Sequence, residues 1–120
     1  MGADGAPHPE DGEGPARGVT LSAYRIAKMA VSTDLVATCV APTGDETVAE
    51  QRGGSLVFQG QLRNPDVHPA PTASTPWWRW VPGTSWDNPT GDGPINERLP
   101  VVHIAFVDAA AFCEWSGTRL

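Results

Sequence analysis

The side chains best able to act as nucleophile, general base or soft metal ligand are Cys39, Cys113, His8, His68 and His103, and their spacing assembles none of these functions. The two cysteines stand far apart, each inside an apolar run, whereas zinc sites present Cys or His in close pairs and a disulfide framework needs more cysteines. Small buried hydrophobes are what such cysteines usually are. His103 lies between Val102 and Ile104; its ring could serve as base or ligand, and a hydrogen-bonded interior histidine is the structural alternative. His8 and His68 have no partner nearby in sequence. The stretch Asp87-Asn88-Pro89-Thr90-Gly91-Asp92-Gly93 has the composition of a calcium loop but not its register, which alternates Asp or Asn, places Gly sixth and closes on a bidentate Glu. Gly-x-Ser-x-Gly, a phosphate-cradling glycine loop and His-Glu-x-x-His are all absent.

A different kind of chemistry is concentrated in residues 72–100, which hold Trp77, Trp78, Trp80 and Trp86 among five prolines and three glycines. Indole rings on a backbone of restricted φ make either a packed platform or a binding wall.

The elements that must position these residues are short. Residues 1–18, rich in Gly, Pro, Asp and Glu, offer almost nothing to a core and read as a flexible acidic arm. Alternation from Val19 through Ile26 predicts a half-buried strand. A helix follows, with Ser32 or Thr33 as cap, Asp34 at the positive end of its dipole, Leu35, Val36, Cys39 and Val40 on one face, and Pro42 as its stop. Leu56-Val57-Phe58 fits a buried strand or a packed loop equally well. Val101–Phe106 reads as a strand carrying His103, followed by a helix with Asp108 as N-cap and Gly117 as its end. That helix is apolar on nearly every side and is expected to be buried.

With 13 Gly and 12 Pro in 120 residues, loops should outweigh regular structure. A net charge of −6 without a basic cluster argues against nucleic acid as a partner, since such affinity needs several cations neutralising phosphates together. No apolar run reaches the length that crosses a bilayer and no secretory leader is visible, so a cytoplasmic protein without a membrane partner is expected.

The carboxy-terminal run Leu99-Pro100-Val101-Val102-His103-Ile104-Ala105-Phe106-Val107-Asp108-Ala109-Ala110-Ala111-Phe112-Cys113-Glu114-Trp115-Ser116-Gly117-Thr118-Arg119-Leu120 resembles a signature of the formylglycine-generating enzyme (sulfatase-modifying factor) family, Pro-Val-x-His-Val-Ser-Trp-x-Asp-Ala-x-Ala-Tyr-Cys-x-Trp-Ala-Gly-x-Arg-Leu. Upstream, Pro76-Trp77-Trp78 and Val81-Pro82-Gly83-Thr84-Ser85-Trp86-Asp87-Asn88-Pro89-Thr90-Gly91 look like the segment that sets sulfatase-modifying members apart. Met1-Gly2, Gly12-Glu13-Gly14-Pro15-Ala16-Arg17, Thr43-Gly44 through Glu50, and Ser55-Leu56-Val57-Phe58 are similar to family motifs in the same order. Departures occur at Val31-Ser32-Thr33, where the family has Val-Thr-Asn, at Cys39, which replaces a large aromatic, and at Gly53-Gly54, which replaces another.

The resemblance implies an irregular, turn-rich α+β fold of the C-type-lectin-like kind, with residues 19–120 as a partial sulfatase-modifying domain lacking its C-terminal half. It also implies an oxidoreductase activity in sulfatase maturation: oxidation of a sulfatase cysteine in Cys-x-Pro-x-Arg to formylglycine with copper and oxygen. In the family the copper is held by a cysteine pair that neither Cys39 nor Cys113 matches. As a truncated fragment the chain is expected to bind no copper and to be inactive, with self-association through an exposed core. Within this frame Trp77, Trp78 and Trp86 would wall a groove for an extended sulfatase peptide, Trp86 being the ring of the three most suited to the core. Arg119 matches an arginine that would bridge acceptors further along the domain. The alternative from another class is a non-catalytic lectin-like module binding peptide or sugar through the same rings.

Overall fold

A computed structural model describes residues 1–5, 7–94 and 96–120; Ala6 of the acidic arm and Ile95 of the tryptophan-rich segment lie outside the described residues. The architecture is a small mixed one: α1 (Thr33–Thr43), α2 (Val48–Gln51), β1 (Gly54–Phe58), β2 (Trp78–Pro82) and α3 (Phe106–Ser116), with short 3₁₀ turns between. Helices and a two-stranded sheet together make it α+β in the coarse sense.

Capping of α1 comes from a distant part of the chain. Ser32 occupies the N-cap, but its hydroxyl turns to the Asp34 carboxylate, and the first two amides donate instead to Leu99 O (3.1 Å) and Glu97 O (3.0 Å). Helix-terminal donors need an acceptor from somewhere, and residues 97–101 supply it by running across this end, Val101 N returning a bond to Val31 O at 2.9 Å. Pro42 does not stop the helix; it rides in the final turn, and Gly44 ends it in the left-handed conformation (φ 67°) with its amide on Val40 O. Val36 and Cys39 are buried, while Leu35 is exposed.

One carboxylate joins α2 and α3. Asp108 is the third residue of α3 rather than its N-cap, which is Ala105. Its Oδ2 accepts from Ala105 N at 2.8 Å and its Oδ1 from Val48 N, the first residue of α2, at 3.1 Å. Both helices thus present their positive ends to the same negative group. Within α2, Thr47 and Glu50 form a reciprocal capping box.

The sheet is antiparallel, with Gly54 opposite Pro82, Leu56 opposite Trp80 and Phe58 opposite Trp78. Alternation sends Val57 and Val81 inward, 1 % and 3 % exposed. Thr84, also buried, locks the end of the hairpin by donating to Val81 O (2.9 Å) and accepting from Ser55 N (2.8 Å). Gly54 is required where it stands: at φ 155° an added Cβ would lie 2.5 Å from Val81 O. The apolar residues below a tenth exposure among those described are Val36, Cys39, Ala49, Val57 and Val81, a thin core.

Three further sequence expectations are corrected. Residues 19–26 form no strand, and Leu21, Tyr24 and Ile26 are exposed: alternation becomes a strand only where another strand lies alongside, and among the described residues none does. Val101–Phe106 is likewise not a strand; His103 takes φ 58°, which breaks extended geometry, and α3 begins at Phe106. Finally, α3 packs on α1 but buries no residue fully, with Phe106 76 % and Val107 60 % exposed. The choice left open at Leu56-Val57-Phe58 resolves as strand β1. The first 18 residues fold back on themselves, with Arg17 N on Met1 O and Ala3 N on Glu13 O, and every described residue there whose exposure is known lies at the surface.

Candidate functional site

Pro76-Trp77-Trp78 enters β2 through a turn in which Trp78 N donates to Thr75 O (3.1 Å). Trp77 and Trp78 are both exposed, at 44 % and 39 %. Because side chains alternate, Trp78 and Trp80 of β2 share a face with Leu56 and Phe58 of β1, the face opposite Val57 and Val81. Phe58 and Trp78 meet edge to face, centroids 6.1 Å apart and planes at 77°. The result is an apolar strip of four side chains, of which Leu56, Phe58 and Trp78 are exposed.

Trp86 is placed differently. It lies in the loop after β2, half-buried, and its indole N–H is buried without an acceptor among the described residues. The loop around it is closed by Asn88, whose side chain donates to Gly83 O (2.9 Å) and accepts from Gly93 N (2.8 Å). Asp87 accepts from Ser85 Oγ at 2.5 Å, so this carboxylate is engaged within a turn. The rings predicted as one wall therefore divide, with Trp77 and Trp78 at the open surface and Trp86 turned partly inward.

Leu56 and Phe58 are not singled out for binding by the sequence, and Trp80 enters only as one of four indoles that make a platform or a wall. Their role becomes visible only with the register, which sets Phe58 opposite Trp78. On the other face Arg79, largely buried, reaches His68 O (3.3 Å) and Asp66 (3.4 Å) and ties the 65–68 turn beneath β2. A cleft of about 290 Å³ lies beside that turn, lined by Leu62, Arg63, Asn64, Val67, His68, Thr90 and Asp92; none of the three predicted tryptophans lines it. A wider depression of about 460 Å³ is lined by Ala23–Ile26, Arg119 and Leu120, so Arg119 faces the irregular segment that follows the acidic arm.

His103 is half-buried, its Nε2–H donating to Pro89 O at 2.8 Å, in accord with a hydrogen-bonded structural histidine. Cys39 is 5 % exposed within α1, and burial pushes its thiol above the ordinary value, with the nearby Asp45 charge adding to the effect. A thiolate nucleophile or soft-metal ligand needs the opposite shift. Cys113 is half-buried on α3, and no three of the His, Cys, Asp and Glu side chains converge among the described residues.

A model of the sulfatase-modifying factor enzyme 1-like domain matches residues 1–120. The formylglycine-generating enzyme of Thermomonospora curvata is 43% identical over 99% of this chain and 41% of its own length. That of Mus musculus is 40% identical over the whole chain and 34% of its own length. A second mouse protein, inactive C-alpha-formylglycine-generating enzyme 2, is 39% identical over the whole chain and 40% of its length. The chain thus spans about two fifths or less of these relatives.

Proposed function

Since the chain belongs to the sulfatase-modifying factor family, we propose that residues 1–120 supply scaffold and substrate-facing surface for the oxidation of a sulfatase cysteine, in a Cys-x-Pro-x-Arg context, to formylglycine. The fold proposed for the family domain is the C-type-lectin-like one, of which β1, β2 and the three helices would form part. The observation that carries the surface role is the exposed strip Leu56, Phe58 and Trp78, with Trp77 exposed next to Trp78 in the chain.

An extended peptide has little shape of its own. It is held best by flat apolar area with a few polar contacts, and indole rings provide such area at small entropic cost. Trp77 and Trp78 are the contact residues in this reading; Trp86 belongs to the separate loop that follows β2. Copper and oxygen would supply the oxidation, and neither Cys39 nor Cys113 takes part in it: one thiol is buried and disfavoured as thiolate, and the other sits on a helix without converging ligands.

Titrating the 120-residue chain with a Cys-x-Pro-x-Arg peptide should give a saturable change in tryptophan emission that Trp77→Ala and Trp78→Ala each weaken. Adding copper and oxygen should leave the peptide mass unchanged. A wild-type chain that binds no peptide would defeat the surface role, and formylglycine in the mass spectrum would defeat the exclusion of the two cysteines.

The 39% identity to a relative named as inactive favours a second reading, in which a non-catalytic module binds peptide or sugar through the same rings. Saturable binding of a sugar, with none of the Cys-x-Pro-x-Arg peptide, would select it.

A further inference from the structure

Among the described residues His103 is the one non-glycine with positive φ, at 58°, in a region that non-glycine residues seldom occupy without a reason in the surroundings. The same residue sends Nε2–H to the carbonyl of buried Pro89 at 2.8 Å, across 14 positions of sequence. Pro89 belongs to the Trp86 loop. We infer that His103 is the positioning residue of that loop: its left-handed backbone aims the imidazole so that one hydrogen bond fixes the far end of residues 84–91 against the segment leading into α3.

The loop's other bonds show why a clip is needed. Asn88 closes it internally, through Gly83 O and Gly93 N, and Ser85 and Asn88 exchange backbone bonds at 3.3 Å. Such bonds fix the shape of the loop and, through Gly83, whose N–H donates to Gly53 O at 2.9 Å, tie it to the sheet; they leave its side toward α3 free. At the entry, Thr84 anchors it to the sheet through Val81 O and Ser55 N. At the exit, Asp92 meets Arg63 at 3.6 Å, but both side chains are more than half exposed, and an ion pair of that kind holds little. The His103 bond is shorter and partly shielded from water, and it starts two residues before Ala105, the N-cap of α3. Placement of Trp86 is thereby tied to the end of α3 that Asp108 secures.

For its consequence in binding, this inference rests on the peptide-surface reading of the tryptophans; the placement itself does not. Two measurements on the 120-residue chain separate them. In the free chain, amide exchange at residues 84–91 and the Trp86 indole N–H resonance, assigned with Trp86→Phe, report placement. His103→Ala should raise loop exchange about five- to tenfold, the worth of one partly buried hydrogen bond, and move the indole signal while α1 amides stay as they are. His103→Gly relieves the backbone but should loosen the loop equally. His103→Gln, whose amide reaches to about the Nε2 position, should restore both signals.

Unchanged loop exchange in His103→Ala, or a rise shared equally by α1, would overturn the inference. In the second measurement, peptide affinity should fall in His103→Ala and recover in His103→Gln; a loosened loop with unaltered affinity would overturn the positioning role in binding. If the wild-type chain binds no peptide while the exchange results hold, the peptide-surface reading fails and the placement stands.

Discussion

Removing the carboxylate of Asp108 tests whether one side chain holds two helix starts at once. Asp108 Oδ2 satisfies Ala105 N and Oδ1 satisfies Val48 N, at 2.8 and 3.1 Å, and the residue is half-buried, so water replaces these bonds only in part. Losing a helix-start acceptor costs about 1 kcal/mol, and a bond to a charged acceptor lies at the upper end of that range. Two such losses come to about 2–3 kcal/mol. Alanine's better helix propensity returns roughly 0.5 kcal/mol, leaving Asp108→Ala about 2 kcal/mol less stable. Asp108→Asn keeps one acceptor and turns a donor toward the other amide, and should lose about half as much. Urea unfolding followed by tryptophan emission would show the midpoint for Asp108→Ala lower by about 1 M at unchanged slope. The exchange of Val48 N–H, 60 positions away in sequence, should speed up in both variants. A loss under about 0.5 kcal/mol for Asp108→Ala, or Asp108→Asn as costly as alanine, would refute the two-helix account.

Gly54→Ala should destabilise the hairpin by more than about 1 kcal/mol, seen in thermal melts, since the new Cβ meets Val81 O at φ 155°. Truncating Val57, the most buried apolar side chain among the described residues, to Ala should cost about 2 kcal/mol by the same melts. Cys39 titrates higher in the folded state than in the unfolded one, so its contribution is fully present below the ordinary thiol value and is lost as pH rises through the folded value. Stability should therefore fall more steeply above about pH 8.5 in the parent than in Cys39→Ala, by urea midpoints across that range. A thiol reagent at neutral pH should label half-buried Cys113 well before Cys39, as peptide mapping would show.

Local signals were legible where the chain supplies its own partners. The apolar run of α1 and the glycine at the end of α3 are set by neighbours a few residues away and appear near the predicted places, whereas the acceptors for the first amides of α1 come from Glu97 and Leu99. Val19–Ile26 and Val101–Phe106 have the alternation of strands without a paired strand, and neither forms one. Alternation records which side chains could share a face, while a ladder needs a second strand alongside. The sequence makes Asp108 the N-cap of α3, whereas the N-cap is Ala105, and the bond to Val48 has no sequence signal because 60 residues separate the two.

The sequence by itself determined the family, through the tryptophan-proline segment and the run ending at Arg119-Leu120, and it determined the surplus of acidic charge and the short, glycine- and proline-punctuated elements. The types of the candidate binding residues were also written there. Only the tertiary structure decided how they are grouped: the register of β1 against β2 put Leu56 and Phe58 beside Trp78 and Trp80, turned Val57 and Val81 inward, and left Trp86 on a separate loop clipped by His103. The physical reason is that residue type and local period are properties of neighbouring positions. Facing, burial and long-range hydrogen bonds depend on which distant backbone happens to lie alongside.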